Sequence, residues 1–254
     1  MGQYADYRDQ PHGHGPPAVS RYPAWFAHLP LAPWGWRELN LLGWPLLAMT
    51  LGLAWLGDPW RWLAAVPVVL LIWVVSFFRD PPRRIPDAPE AIVSPADGTV
   101  VEVTQLPHYD FLGGPAVRIG IFLSIFNVHI NRAPLAARVV ELHYRPGEFL
   151  DARDPQSSER NESMWIGLET PDHPPRRCAV RQISGLVARR IVCPLRPGQA
   201  VTRGEKFGMI KFGSRTELIL PAGEVQVAVR PGDKVHAGCD VIARWGKTQP
   251  AHCS

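Results

Sequence analysis

Two uncharged runs constrain this 254-residue chain more than any other feature. Leu41 to Gly57 (LLGWPLLAMTLGLAWLG) and Trp62 to Phe78 (WLAAVPVVLLIWVVSFF) each pass 17 residues without a charge, at the short edge of the ~17–25 that span a bilayer. Only Asp58-Pro59-Trp60-Arg61 separates them, so the helices they predict must run antiparallel. Arg37 precedes the pair, and Arg79, Arg83 and Arg84 follow it. The positive-inside rule then predicts both outer ends on the cytoplasmic side of a cell membrane. Trp44, Trp60, Trp62 and Trp73 suit interfacial anchors, and Pro45 and Pro67 predict a kink in each helix. Two alternatives stay open: a pair of core helices in a soluble domain, and a hairpin that embeds without spanning.

Whole-chain averages conceal this segregation. A mean hydropathy of −0.07, with 46% hydrophobic and 20% charged residues, excludes a disordered chain and a polytopic membrane protein. Yet eight of the ten tryptophans precede residue 80, and all four cysteines follow residue 177. The net charge of +4 is too small and dispersed for a nucleic-acid partner, but fits an anionic membrane surface. Cys178, Cys193, Cys239 and Cys253 lack zinc-site spacing and predict reduced, cytosolic thiols without a metal. Residues 1–38 are expected to form a flexible tail and lead-in, Pro-, Gly- and His-rich through residue 23. The start shows no secretory apolar segment, and Asp6 stands where a myristoylation signal needs Ser or Thr.

After residue 84 the pattern changes to short β-branched runs separated by Gly and Pro, which predicts a β-rich domain over 85–246. The runs include Thr99–Val103, Val117–Leu123, Val139–Tyr144, Leu186–Cys193, Leu218–Leu220, Val225–Val229 and Val241–Trp245. A repeat lies within it: Gly198, Val201, Gly204 and Phe207 recur 34 residues later as Gly232, Val235, Gly238 and Val241. This G-x-x-V-x-x-G unit suits a turn, a short strand and a second turn, with Gly supplying positive φ. Paired units of this kind resemble the halves of a β-barrel sandwich, as in lipoyl and biotinyl carrier domains. The fold class expected is mainly β, a barrel-sandwich-like domain behind an N-terminal helical hairpin at 39–80.

Three stretches could carry chemistry. In Ser94-Pro95-Ala96-Asp97-Gly98-Thr99, Asp-Gly is first of all a turn signal. In FLSIFNVHINR, a strand-like run meets His129 between two amides; a lone His is more often structural than catalytic. In KFGSRTEL, Gly213-Ser214 lacks the G-x-S-x-G of a hydrolase elbow. A small residue before Ser is, however, what an intramolecular N→O acyl shift requires, because Gly213 tolerates the backbone strain.

Taken together, residues from about 39 to 246 resemble the short bacterial and archaeal form of phosphatidylserine decarboxylase. The hairpin, SPADGTV, FLSIFNVHINR, Gly147-Glu148-Phe149, Asn161-Glu162 and KFGSRTEL carry the resemblance in order. It implies a pyruvoyl-dependent carboxy-lyase that cleaves itself between Gly213 and Ser214. The β chain would be 1–213 and the α chain 214–254, remaining associated, with Ser214 converted to the pyruvoyl group. That group would form a Schiff base with membrane phosphatidylserine and release CO2 and phosphatidylethanolamine. Asp97 matches the family's Asp that assists self-cleavage, and His129 its decarboxylation His. The self-cleavage His falls at Arg132, which leaves His129, His143 or water as the processing base. Arg132 is a candidate for the lipid phosphate, and a homo-oligomer is possible. The rivals are a membrane-tethered, non-enzymatic lipoyl-like binding module and a membrane hydrolase using Ser214.

Overall fold

The computed structural model describes residues 29–154, 156–186, 190–211 and 213–246, which divide into units at 82/83. The tail over 1–28, Cys253 and Phe212 lie outside the described residues.

The N-terminal unit is a helical hairpin. A 3-10 turn, Pro33–Gly35, leads into α1 (Trp36–Trp55); a second, Trp60–Ala64, leads into α2 (Ala65–Phe77). The first helix therefore begins ahead of residue 39 and takes in Arg37 and Glu38. Pro45 lies inside α1, but Pro67 stands in the first turn of α2, where a missing N–H costs least. Gly43 of α1 faces α2, and a Cβ there would meet Leu71 at an ordinary contact distance of 3.8 Å. At the open end the Ala32 N–H donates to the Phe78 carbonyl (2.6 Å), and the Asp80 N–H to that of Pro30 (2.7 Å). Among the described residues one helical segment, Trp60–Phe77, is long and apolar enough to cross a membrane, and only 22% of it is buried. The α1 run does not reach that mark, since its first turn is polar and Trp, Gly and Pro dilute the rest.

The second unit is almost wholly β. Its strands are β1 (Ala91–Val93), β2 (Gly98–Tyr109), β3 (Gly114–Leu123), β4 (Ile130–Arg132), β5 (Ala137–Arg145), β6 (Ser163–Glu169) and β7 (Arg177–Ile183). They continue as β8 (Ile191–Val192), β9 (Ala200–Val201), β10 (Lys206–Ile210), β11 (Ser214–Pro221), β12 (Val225–Val227), β13 (Lys234–Val235) and β14 (Val241–Trp245). A 3-10 turn, Asp110–Leu112, and one α-helical turn, α3 (Ser157–Arg160), interrupt them. Eight strands form one sheet in the order β13-β2-β3-β11-β7-β6-β5-β9; β1-β14-β12 and β4-β10-β8 form two small sheets. The fold class is thus mainly β, as the sequence indicates. Of the run Leu186–Cys193, Ile191–Val192 forms a strand paired with β10, and residues 187–189 lie outside the described residues.

The repeat explains how the large sheet curls. Gly198, Gly204, Gly232 and Gly238 all have φ between 75° and 100°, a region closed to most side chains. The short strands they bracket, β9 and β13, are the two edges of the eight-stranded sheet. Yet the turns that follow them meet: a Cβ on Gly238 would stand 3.6 Å from the Gly204 Cα, with Ile85 packed against both glycines. The Gly204 N–H donates to the Ala133 carbonyl and the Gly238 N–H to that of Ser94, both ahead of a sheet strand. The sheet edges are thereby drawn together around a core that includes Ile119, Ile121, Leu123, Ile166, Leu218 and Ile242.

The strand β11 lies inside this sheet, paired from Ser214↔Leu123 to Pro221↔Ala116 with β3 and from Arg215↔Ile183 to Ile219↔Ala179 with β7. Alternation sends Leu218 and Leu220 into the main core and Arg215 and Glu217 to the other face. Both charged residues are almost completely buried. The Arg215 Nε donates to Glu217 Oε1 (3.0 Å) and its Nη2 to Glu102; Ser158 donates to Glu217 Oε1 (2.6 Å). Arg181 lies 3.7 Å from Glu217 Oε2, and Arg118 donates to Glu102 (2.6 Å). Gly120 leaves room for the Arg215 guanidinium, since a Cβ there would stand 2.7 Å from Nη2.

Removing one member of such a buried set strands the others. Glu217→Ala is expected to cost about 3–5 kcal/mol, read as a lowered urea midpoint. Burial pushes the Glu102 carboxyl up, but hydrogen bonds from Thr104, Arg118 and Arg215 and the Arg215 charge outweigh it and bring it down to about 2. A carboxyl lowered in the folded state stabilises fully above its ordinary 4.5 and loses that contribution as pH falls toward about 2. Stability is therefore expected to fall over that acid window, and Glu102→Gln to flatten the slope in a pH series of urea midpoints.

Candidate functional site

Ser214 opens β11, fully buried, and its Oγ has no hydrogen-bond partner among the described residues. A buried hydroxyl without a partner costs free energy, so its retention calls for a chemical reason. Gly213, just before it, has φ +58°, in the left-handed region that glycine enters without steric cost. The polypeptide thus turns sharply at the bond between the two residues and then enters a sheet.

The neighbouring strand end is shaped to this bond. The β7–β11 pairing, continued one step, sets Ser184 opposite Ser214 and Gly185 opposite Gly213. A Cβ on Gly185 would stand 2.3 Å from the Gly213 carbonyl oxygen and 3.1 Å from its carbon. Only glycine fits there without moving the Gly213–Ser214 peptide. Asn161, fully buried, fixes this strand end: its Nδ2 donates to the carbonyls of Ser184 (2.8 Å) and Leu150 (2.9 Å), while its Oδ1 accepts from the Leu150 N–H (2.8 Å). Gly147 permits the Glu148–Asn161 crossing, since a Cβ there would collide with the backbone at 160–162. The Ser184 hydroxyl is also buried and has no hydrogen-bond partner among the described residues.

His129 lies between two elements that border Ser214. The strand β3 ends at Leu123, which pairs with Ser214; a tight turn follows, in which Asn127 Oδ1 accepts from the Ser124 N–H (2.9 Å) and hydroxyl (2.7 Å). FLSIFNVHINR is therefore strand, turn and strand rather than one run. His129 is fully buried, and its Nδ1 lies 2.9 Å from the Asn127 carbonyl. A carbonyl only accepts, so Nδ1 carries the proton and the neutral ring presents Nε2 as its basic nitrogen. The His129 carbonyl accepts from the Ile210 N–H (3.3 Å), three residues ahead of Gly213.

Asn131 ties this region together. Its Nδ2 donates to Thr216 Oγ1 (3.0 Å), on the same face of β11 as Ser214, and to the Pro95 carbonyl (3.2 Å); its Oδ1 accepts from Gln182 (2.8 Å). The strap joins the SPADGT stretch to β4, β7 and β11. Asp97 itself is occupied: Arg83 Nη2 donates to its oxygens at 2.7 and 3.0 Å, and the Ala237 N–H at 2.7 Å. Among the described residues no hydrogen bond joins Asp97 to Ser214 or His129. Arg132 is buried, its Nη1 donating to the Gly204 carbonyl (3.0 Å). His143 faces a separate cavity of about 560 Å³ with Trp165, Phe111 and Arg177, and pairs with Glu141 at 2.9 Å. The structure thus ties the Asn131 strap to β11 through Thr216 and sets Asp97, Arg132 and His143 in other contacts, and no hydrogen bond joins Ser214 to His129 among the described residues.

Comparison with known proteins decides the family. The model of phosphatidylserine decarboxylase matches residues 70–243. The chain belongs to the phosphatidylserine decarboxylase family. A phosphatidylserine decarboxylase proenzyme of Rhodopirellula baltica is 44% identical over 223 residues, covering 87% of this chain and 90% of the relative. Proenzymes of Carboxydothermus hydrogenoformans and Chlorobium chlorochromatii are 46% and 47% identical, each covering 72% of this chain and 84% of the relative. As a family member the chain is a carboxy-lyase made as a precursor.

Gly185, Asn161 and Asn131 are parts of the site that sequence reasoning did not single out. Asn161 sits in a stretch that carries the family resemblance, yet its task depends on carbonyls 11 and 23 residues away. Burial pushes the Cys178 and Cys193 thiols up to about 12, so they stay protonated and take no part in the chemistry at neutral pH.

Proposed function

We propose that the chain is a self-cleaving phosphatidylserine decarboxylase that converts phosphatidylserine to phosphatidylethanolamine and CO2. The buried, unpartnered Ser214 hydroxyl behind a left-handed Gly213 carries this reading. Its Oγ attacks the Gly213 carbonyl carbon, forming an ester as the C–N bond breaks and leaving the amine on Ser214. Elimination then breaks the Cβ–Oγ bond, and water replaces the residue's nitrogen as ammonia, leaving a pyruvoyl group at 214. Gly185 holds the carbonyl where this attack occurs, and Gly213 supplies the turn that exposes its carbon.

The residues present fit that group: Ser214 is sequestered from solvent, and no Cβ intrudes at 185 or 213. Residue 214, so converted, would supply a carbonyl able to condense with the substrate amine and to take up the electron pair left when CO2 departs. His129, with Nδ1 fixed on the Asn127 carbonyl, takes the Ser214 proton at Nε2 during cleavage and returns a proton to the substrate carbon after decarboxylation. The engagement of Asp97 by Arg83, and of His143 in another cavity, favours this double duty. Asp97 acts as a positioning residue, holding the Ala237 turn and the Pro95 carbonyl that seats Asn131. Arg132 does the same for the Gly204 turn rather than binding the lipid phosphate directly.

Chains 1–213 and 214–254 stay associated because β11 keeps both ladders and its buried charges after cleavage. The hairpin over 39–80 holds the 85–246 domain on the cytoplasmic face of the cell membrane, where its two-chain substrate resides.

Ser214→Ala is expected to leave one 28.3 kDa band on a denaturing gel and no decarboxylation of labelled phosphatidylserine; two bands would refute cleavage at this bond. His129→Ala should accumulate the same uncleaved chain, with any cleaved fraction slower by about 10²-fold or more; normal processing would assign the Ser214 proton elsewhere. Gly185→Ala should also remain uncleaved, even after hydroxylamine, which cuts esters; cleavage at the wild-type rate would remove Gly185 from the site.

A further inference from the structure

We infer that the β unit carries its own membrane-docking rim, made by the loops around Gly213–Ser214, and that the anionic bilayer holding the substrate covers it. The inference rests on the proposed function. Among the described residues of the 83–246 unit, five large hydrophobic side chains are exposed: Val101 (37%), Ile125 (37%), Phe126 (69%), Phe149 (38%) and Leu186 (66%). All but Val101 lie on three loops that converge on the Gly213–Ser214 bond.

That convergence is fixed by contacts. A Cβ on Gly213 would stand 4.0 Å from Ile125 Cγ2, which places the 124–127 turn beside the bond. Gly185, next to Leu186, faces both the Gly213 carbonyl and the Ala152 Cβ, and so brings in the 149–153 loop that bears Phe149. The Lys211 N–H donates to the Arg190 carbonyl at 3.2 Å, closing the third loop onto the same strand end. Two loop tips bearing Phe126 and Leu186 largely in water are costly in a soluble protein and marginally balanced unless another phase receives them.

Chemistry selects the bilayer as that phase. A lipid whose head group reaches Ser214 keeps its two chains in the membrane, so the loops at the approach to Ser214 face hydrocarbon and head groups. A protein partner or a second copy seated on them would close the substrate's path. Basic residues border the patch: Arg153, which pairs with Asp151 at 2.6 Å, and Arg190 at the end of the third loop. Aromatic side chains flanked by arginines suit an interface with anionic head groups.

The test uses the full chain. The double variant Phe126→Ser/Leu186→Ser should cleave itself normally and decarboxylate monomeric dihexanoyl phosphatidylserine as the wild type does, yet lose at least fivefold in kcat/KM on phosphatidylserine vesicles. Equal rates on vesicles, or equal losses on both substrates, would overturn the rim, the latter by making the residues part of the head-group site. A dimer in detergent that the double variant dissociates, with vesicle activity intact, would give the surface to a second copy instead. A readout independent of activity is the labelling of Phe126→Cys and Val101→Cys chains in vesicles by a water-soluble maleimide. Exposure alone makes residue 126 the faster; the rim requires it to be at least fivefold slower, and faster labelling would overturn the rim. A wild type that neither cleaves nor decarboxylates defeats the underlying function, whereas the labelling still decides the rim.

Discussion

The fold depends on one placement: β11 begins with Ser214 and lies between β3 and β7 in the large sheet. A strand paired on both edges cannot leave without breaking two ladders, so a break in the chain ahead of it need not release it. The same placement buries the Ser214 hydroxyl and lets the strand end of β7 reach the Gly213 carbonyl through Gly185. Precursor chemistry and chain association thus share one cause. On the proposed reading, the strand is held firmly enough to survive a break ahead of it, while Gly213 keeps the preceding carbonyl within a turn.

Buried charge supplies much of that hold. Arg215 and Glu217 follow the Gly213–Ser214 bond in the chain, and Glu102, Arg118, Arg181 and Ser158 precede it. An unpaired buried ion is costly, so each fragment needs the other to satisfy its groups. Alternation keeps this set away from Ser214, on the opposite face of β11. The site face instead carries neutral groups: Thr216, Asn131 and Gln182.

Legibility in the sequence followed how local each cause was. The hairpin could be seen because an uncharged run is a property of the run itself, although α1 proved too mixed to qualify as a span. The four repeat glycines could be seen because positive φ is a local demand, and each one meets it. The strands β6 and β7 carried little signal, since Arg181 and Gln182 are buried only by virtue of Ser158, Glu217 and Asn131, which are distant in the chain. Gly185 looks like any loop glycine until Gly213 is placed against it. Asp97 could be flagged as a turn residue, but its pairing with Arg83 depends on how the chain returns across the Ala237 turn.

The central claim is that the peptide between Gly213 and Ser214 is broken by the chain itself and that residue 214 emerges altered. Intact mass spectrometry of the purified wild-type protein addresses both parts at once. The expected spectrum holds two chains, 1–213 and 214–254, the smaller one roughly 17 mass units below its unmodified sequence, as a ketone replaces the amine of Ser214 and a methyl group its hydroxymethyl. A single species at 28.3 kDa, or a smaller chain with an intact N-terminal serine, would contradict it.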